Sequence, residues 1–196
     1  MTAGEAPSDE TLVRLALGGD AQAFAAIVTR YKVPLFQFIR RYVRDDDDAY
    51  DLLQQAYLSA WLSLSRYDLE RSLRTWLHTI ALNKCRDHAR KMKVRGLFSV
   101  IGLAGEASNV ADHRPSAVDG LLREERERAF ADAIAGLPRQ LKEPLVLTVF
   151  SELSQAEAGR QLGISAKAVE TRVARARRKL ADVLDQSTLG RNDNDT

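Results

Sequence analysis

Apolar residues recur every three or four positions along most of the chain, the spacing of one buried face on a helix. Leu12, Leu15 and Ala16 start the pattern, and Phe24, Ile27, Val28 and Tyr31 resume it after Gly18 and Gly19. Asp20 is placed to cap the second helix by accepting from a backbone N–H. Leu35, Phe36, Ile39 and Tyr42 extend the stripe beyond Pro34, where the missing N–H predicts a kink or junction. A third helix is predicted from about Asp47 to Leu64. Its inward face is Leu52, Leu53, Ala56, Tyr57, Ala60, Trp61 and Leu64. After a polar loop, Ser65 to Arg71, Ser72 can cap a fourth helix bearing Leu73, Trp76, Leu77, Ile80, Ala81 and Cys85. Both tryptophans fall on apolar stripes and are expected in the core.

The pattern lapses from Gly96 to Gly120, a stretch with further glycines at 102 and 105 and a proline at 115. Such a composition predicts a linker. Its opening, Leu97 to Leu103, is more apolar than a free linker needs. That segment either packs locally or docks a partner. Periodicity returns from Leu121 to about Asp185, and the last ten residues are polar. Strand-like alternation is absent. The fold expected is all-α: two small helical domains, at 10–95 and 121–186. The linker at 96–120 is expected to be flexible, as are the tails at 1–9 and 187–196.

Composition narrows the functional classes. The formal charge is only +2 over 196 residues, but it is unevenly spread. Asp45 to Asp48 form an acidic block suited to the positive end of a helix dipole. Residues 71–95 and 167–179 are strongly basic. A single cysteine excludes an internal disulfide and a multi-cysteine zinc site. The histidines at 78, 88 and 113 have no ligand spacing with acids, and no phosphate-cradling glycine loop occurs. No catalytic residue, metal, cofactor or small-molecule substrate is expected. The N-terminus lacks a basic start and apolar run, and no segment is long enough for a membrane span, so a cytoplasmic protein is expected.

The strongest local signal lies at 153–180. Ser154 and Glu157 form a capping box that opens a short helix. Ala158 is small enough for a second helix to approach, Gly163 suits a left-handed turn, and Ser165 can cap the next helix. Val169 and Val173 face inward at i, i+4. This is a helix-turn-helix. Its second helix carries Lys167, Thr171, Arg172, Arg175, Arg178 and Lys179 off the apolar face. Such a helix fits a major groove, where arginines reach guanines or phosphates. Glu170 opposes DNA binding unless it accepts from a cytosine or pairs with a nearby arginine.

Several further motifs carry a resemblance to a known family. Asp51-Leu52-Leu53-Gln54-Gln55-Ala56-Tyr57-Leu58-Ser59-Ala60-Trp61 resembles the polymerase-clamp segment of extracytoplasmic-function (ECF) sigma factors. Arg74-Thr75-Trp76-Leu77-His78-Thr79-Ile80-Ala81-Leu82-Asn83 resembles the motif that follows it. Ala135-Gly136-Leu137-Pro138 ahead of the helix-turn-helix is similar to region 4. Their order is that of the family over residues 10–92 and 121–184.

The resemblance implies that the first domain is region 2, which binds core RNA polymerase at the clamp coiled coil and opens the −10 element. The second would be region 4, which reads the −35 element and meets the flap. Asp51, Leu52, Gln54, Gln55, Tyr57 and Ser59 would touch polymerase. Arg74, Asn83, Lys84 and Arg86 would face promoter DNA, with a base pocket in the loop 65–71. An anti-sigma factor is implied as a further partner, one that in membrane-bound form would hold this protein at the inner membrane, with Phe98 and Ile101 in one candidate contact. Gln55 stands where an acid is usual, Leu73 where an aromatic is common, and Pro144 inside an expected helix. The rival readings are a stand-alone helix-turn-helix regulator, which would bind promoters without polymerase, and a sequestering module, which would need no basic helix. All readings of the sigma type place separate cationic surfaces on two tethered bundles.

Overall fold

The computed structural model describes the backbone of residues 6–100 and 118–192, and the side chains of 6–94 and 127–184. Every long regular element among them is an α-helix. Helix α1 spans Asp9–Leu17, and the Ser8 hydroxyl accepts from Thr11 N at 3.2 Å to start it. Helix α2, Ala21–Arg40, starts on the Asp20 carboxylate, which accepts from the amides of Gln22 and Ala23. Pro34 neither ends nor divides α2. An interior proline costs about 3 kcal/mol. The fully buried face of Ile27, Leu35, Phe38 and Ile39 offsets that loss.

Helix α3 spans Asp46–Ser63, with Asp45 accepting from Asp48 N at 2.9 Å. A 3-10 turn at Leu64–Arg66 leads to α4, Leu73–Val100. The second half comprises α5 (Val118–Ala135), α6 (Arg139–Val149), α7 (Gln155–Leu162) and α8 (Ala166–Asn192). Helices α2, α3 and α4 pack around one another, and α8 packs on α6 and α7.

Several boundaries differ from those the pattern predicts. Helix α4 passes through Gly96, and α5 already includes Gly120. Leu97–Val100 form the last turn of α4, while 101–103 lie outside the described residues, as does the rest of the segment to 117. Helix α8 runs to Asn192, past the expected end near Asp185. Pro144 sits inside α6 without ending it. Trp61 is 41% exposed, because Ala60 and Leu64 take the inward positions; its ring meets the Phe24 ring edge-on at 4.9 Å. Trp76 is half-buried beside Tyr67.

The larger departure concerns the two halves. They are docked, and the buried apolar residues of both form one continuous cluster. Cys85 of α4 lies fully buried in that cluster. Burial pushes its thiol up to about 12. At the seam, two charged residues of α6, Lys142 and Glu143, are also buried.

Candidate nucleic-acid interface

The helix-turn-helix is built as its sequence dictates. The Ser154 hydroxyl accepts from Glu157 N at 3.3 Å, and the Glu157 carboxylate accepts from Ser154 N at 2.9 Å. Gly163 adopts φ 68°, a left-handed conformation that costs glycine little, and its amide closes α7. Gly159 matters as much, although the pattern gave no sign of it. A Cβ there would lie 2.7 Å from the Ile164 carbonyl oxygen, so the turn folds directly over a missing side chain. Ser165 then accepts from Ala168 N at 3.1 Å to start α8. Ala158 and Val169 are fully buried between the helices, and Val173 is half-buried.

Those contacts fix which face of α8 points outward. Lys167, Thr171, Arg175, Arg178 and Lys179 are exposed, with Arg172 half-buried beside them. Arg177 is exposed too, but on the flank toward α6, beside Val149. Glu170 is paired, but with Lys167 at 2.8 Å rather than with an arginine. That pair removes much of the anionic obstacle at the helix start.

The cations of α4 are in a different condition. Arg86 makes a two-pronged contact with Glu143, Nε to Oε1 and Nη2 to Oε2, both at 2.8 Å. Paired N–H···O bonds of this kind are among the strongest side-chain contacts. Glu143 also accepts from the Tyr42 hydroxyl at 2.9 Å and from Arg139 at 2.7 Å. Burial alone would raise its carboxyl, but Arg86, Arg139 and Tyr42 together hold it below the usual carboxylate value. Hydrogen bonding to Glu143 raises the Arg86 guanidinium in turn. Lys142 donates to the carbonyls of Ala135 at 2.5 Å and Tyr42 at 3.1 Å, and burial lowers it to about 8.

Arg74 is engaged similarly. It donates to the Phe150 carbonyl at 3.0 Å and meets the Glu152 carboxylate at 2.8 Å. Arg41 lies over the Phe150 ring at 4.1 Å. Thr79 accepts from Gln161 at 3.2 Å, and Arg40 meets Asp132 at 2.9 Å. The expectation of separate, open cationic surfaces therefore fails for α4: Arg74 and Arg86 are occupied by the second half. Asn83 stays exposed, and Lys84 is half-buried in a cleft with Gln55, Arg90 and Lys91.

Next to Arg74 on α4, His78 is fully buried. Its Nδ1 lies 2.7 Å from the Arg74 carbonyl, which can only accept, so Nδ1 carries the proton. Burial lowers His78 to about 4. The loop 65–71 is braced from within. Asp68 accepts from Glu70 N at 3.1 Å and pairs with Arg71 at 3.2 Å, while the Tyr67 hydroxyl donates to the Arg71 carbonyl.

The polymerase-facing set also needs correction. Leu52 and Tyr57 are core residues, not surface ones. The Tyr57 hydroxyl donates to the Val28 carbonyl at 3.3 Å. Asp51, Gln54 and Gln55 are exposed, and Ser59 is half-buried. Leu58 and Leu62 are exposed on the same helix, at 60% and 73%. Their i, i+4 spacing from Gln54 was the signal for that outer stripe.

Two family models match the chain in the order of the halves: sigma-70 region 2 over residues 27–95 and sigma-70 region 4 over residues 127–180. The RNA polymerase sigma factor CnrH of Cupriavidus metallidurans is 35% identical over 91% of this chain and 95% of its own length. The chain belongs to the ECF sigma factors of the sigma-70 family. Sigma factors are initiation factors of transcription rather than enzymes. The ECF sigma factor SigW of Bacillus subtilis is 32% identical over 83% of this chain and 89% of its own. The solved structure of CnrH in complex with the cytosolic domain of CnrY matches with a TM-score of 0.64 at 32% identity. That match covers 92% of this chain and 99% of the other. Among the described residues of this ECF sigma factor, no helix is long and apolar enough to cross a membrane. Nor do they contain a cluster of three or more potential metal ligands.

Proposed function

We propose that this ECF sigma factor reads the −35 element with α8 and opens the −10 element with α4 and the loop before it. The observation that carries the reading is the outward cationic face of α8, fixed by the buried Val169 and Ala158. Lys167, Thr171 and Arg172 lie near the helix start, where base edges are reached, and Arg175, Arg178 and Lys179 follow toward the phosphates. On α4, Arg74, Asn83, Lys84 and Arg86 serve the strand separated at −10. Unstacking a base costs a few kcal/mol, which cationic contacts along the strand help to recover.

Core RNA polymerase takes two surfaces in this reading. The clamp coiled coil meets the stripe Asp51, Gln54, Gln55, Leu58 and Ser59, with Leu62 at its end. The flap meets an apolar groove of the second half lined by Phe130, Leu145, Val149, Phe150 and Leu180. Region 2 occupies 10–95 and region 4 occupies 121–186. An anti-sigma factor is the further partner, in line with the solved complex of the relative CnrH with CnrY. The site of action is the bacterial cytoplasm. The two family matches in sequence favour this over a stand-alone regulator.

Transcription from genomic fragments by core polymerase, with and without the purified chain, tests the reading. New start sites are expected only with the chain present. Promoter-specific binding of equal strength without polymerase would reject it.

A further inference from the structure

The cations proposed to hold the melted strand are already holding something. Arg86 grips Glu143 through two bonds of 2.8 Å, and the Glu143 side chain is only 7% exposed. Arg74 grips Glu152 at 2.8 Å and the Phe150 carbonyl at 3.0 Å. Glu143 and Glu152 belong to α6 and the turn after it, so both contacts cross between the halves. A carboxylate presents to a guanidinium the same pair of oxygens that a phosphodiester does. One surface of α4 thus fits two anionic partners that cannot bind it together.

From this geometry we infer that Glu143 and Glu152 form a latch that closes region 4 over the strand-binding face of region 2, and that single-stranded DNA and the latch compete for Arg86 and Arg74. The inference rests on the proposed role of α4. The free chain is then a weak strand binder because its own carboxylates fill the site. Opening exposes the cations of α4 and frees α8 to move away to its own element. Arg86, Arg139 and Tyr42 all donate to Glu143 and hold it ionised against its burial, so the closed latch is charged at neutral pH.

Glu152 has a second property that makes the latch separable from the fold. Its φ is 57°, the only positive value among the described non-glycine residues. A left-handed backbone disfavours any side chain but suits glycine. Glu152→Gly therefore removes the carboxylate and relieves the turn in one step.

The full-length chain is compared with Glu152→Gly, Glu143→Gln and the double variant. Affinity for a fluorescein-labelled single-stranded oligodeoxynucleotide is read by anisotropy at fixed salt, and the radius of gyration by small-angle scattering. The expected result is a larger radius and affinity rising two- to threefold for Glu152→Gly and at least fivefold for the double variant. Unchanged affinity and radius in Glu152→Gly and the double variant would overturn the latch. If circular dichroism shows that Glu143→Gln unfolds region 4, Glu152→Gly alone decides. The charge exchange Arg86→Glu with Glu143→Arg should restore the small radius while leaving strand affinity low; an open chain would count against the pairing. Run-off transcription with core polymerase separates the two readings. Start sites with no change in strand affinity or radius would sink the latch and leave the sigma reading standing. Increased affinity without start sites would do the reverse.

Discussion

Helices α4 and α8 carry similar signatures: an apolar stripe on one side and arginines and lysines on the other. Their surfaces are nevertheless in opposite states. Arg175, Arg178 and Lys179 of α8 are exposed to water, while Arg74 and Arg86 of α4 are tied to carboxylates of the other half. The difference comes from what lies opposite each helix. Among the described residues of α8, the acids on that outer side are Glu170, which is paired with Lys167, and Asp182, one turn past Arg178, and no carboxylate of the first half reaches it. Opposite α4, the fold delivers Glu143 and Glu152. A basic helix is therefore a statement about charge and not yet about availability, because Coulomb attraction is satisfied by whichever anion is nearest.

The contrast can be broken most forcefully at the turn that orients α8. Gly159→Ala places a methyl group against the Ile164 carbonyl, and the adjoining backbone cannot yield without moving Ser165 and Ala166. A loss of about 3 kcal/mol in the stability of the second half is expected. Urea unfolding measures it, and a loss under 0.5 kcal/mol would show that α8 is oriented otherwise.

A smaller effect is expected from the exposed face itself. Arg172→Ala or Arg175→Ala should each cost roughly 1–3 kcal/mol of −35 affinity in the polymerase holoenzyme if the side chain reads a base. Uniform weakening on every duplex would instead reassign that arginine to phosphate. Normal −35 binding by both variants would remove the recognition face.

On the α4 side, acid should loosen the packing through His78. Its value in the folded chain is lowered to about 4 from an ordinary 6.5. The neutral ring is favoured in the folded state, so this contribution is complete above pH 6.5 and fades as pH falls toward 4. Between pH 6.5 and 5.5 the loss should be about 1 kcal/mol. Arg74 and Glu152 act on the same ring in opposite directions. The slope should vanish in His78→Leu, and persistence there would assign it elsewhere.

The least effect belongs to the pair at the start of α8. Lys167 and Glu170 are both well exposed, so Glu170→Ala should change stability by no more than about 0.5 kcal/mol. Its informative readout is DNA affinity, which should rise slightly as an anionic group leaves the face.

Legibility followed range along the chain. The helix-turn-helix was readable because its determinants are local: Ser154 and Glu157 are three residues apart, and Gly163 and Ser165 follow at once. The cap at Asp20 was readable for the same reason, and the acidic block at 45–48 marked the start of α3, although not which aspartate caps it. The latch was not, because Arg86 and Glu143 stand 57 positions apart and Tyr42 and Glu143 stand 101 apart. Nothing in periodicity reports such a pairing, though a Lys-Glu step on the buried side of α6 was a hint that a counter-charge had to exist. On α3, Leu52 and Tyr57 were misassigned because motif resemblance gives no inside or outside; their place on the apolar stripe did. The two prolines end neither of their helices. Burial along α2 and α6 outweighs the single N–H that each removes.

The one cysteine acquires a use from where it sits. Cys85 lies in the shared core, within reach of the charges on Lys142 and Glu143, and its proton is held so tightly that almost no thiolate exists near neutrality. An alkylating reagent must wait for that interior to be uncovered. The native chain thus carries its own stopwatch: the pace of labelling at this atom counts how often the molecule comes apart, with no probe added.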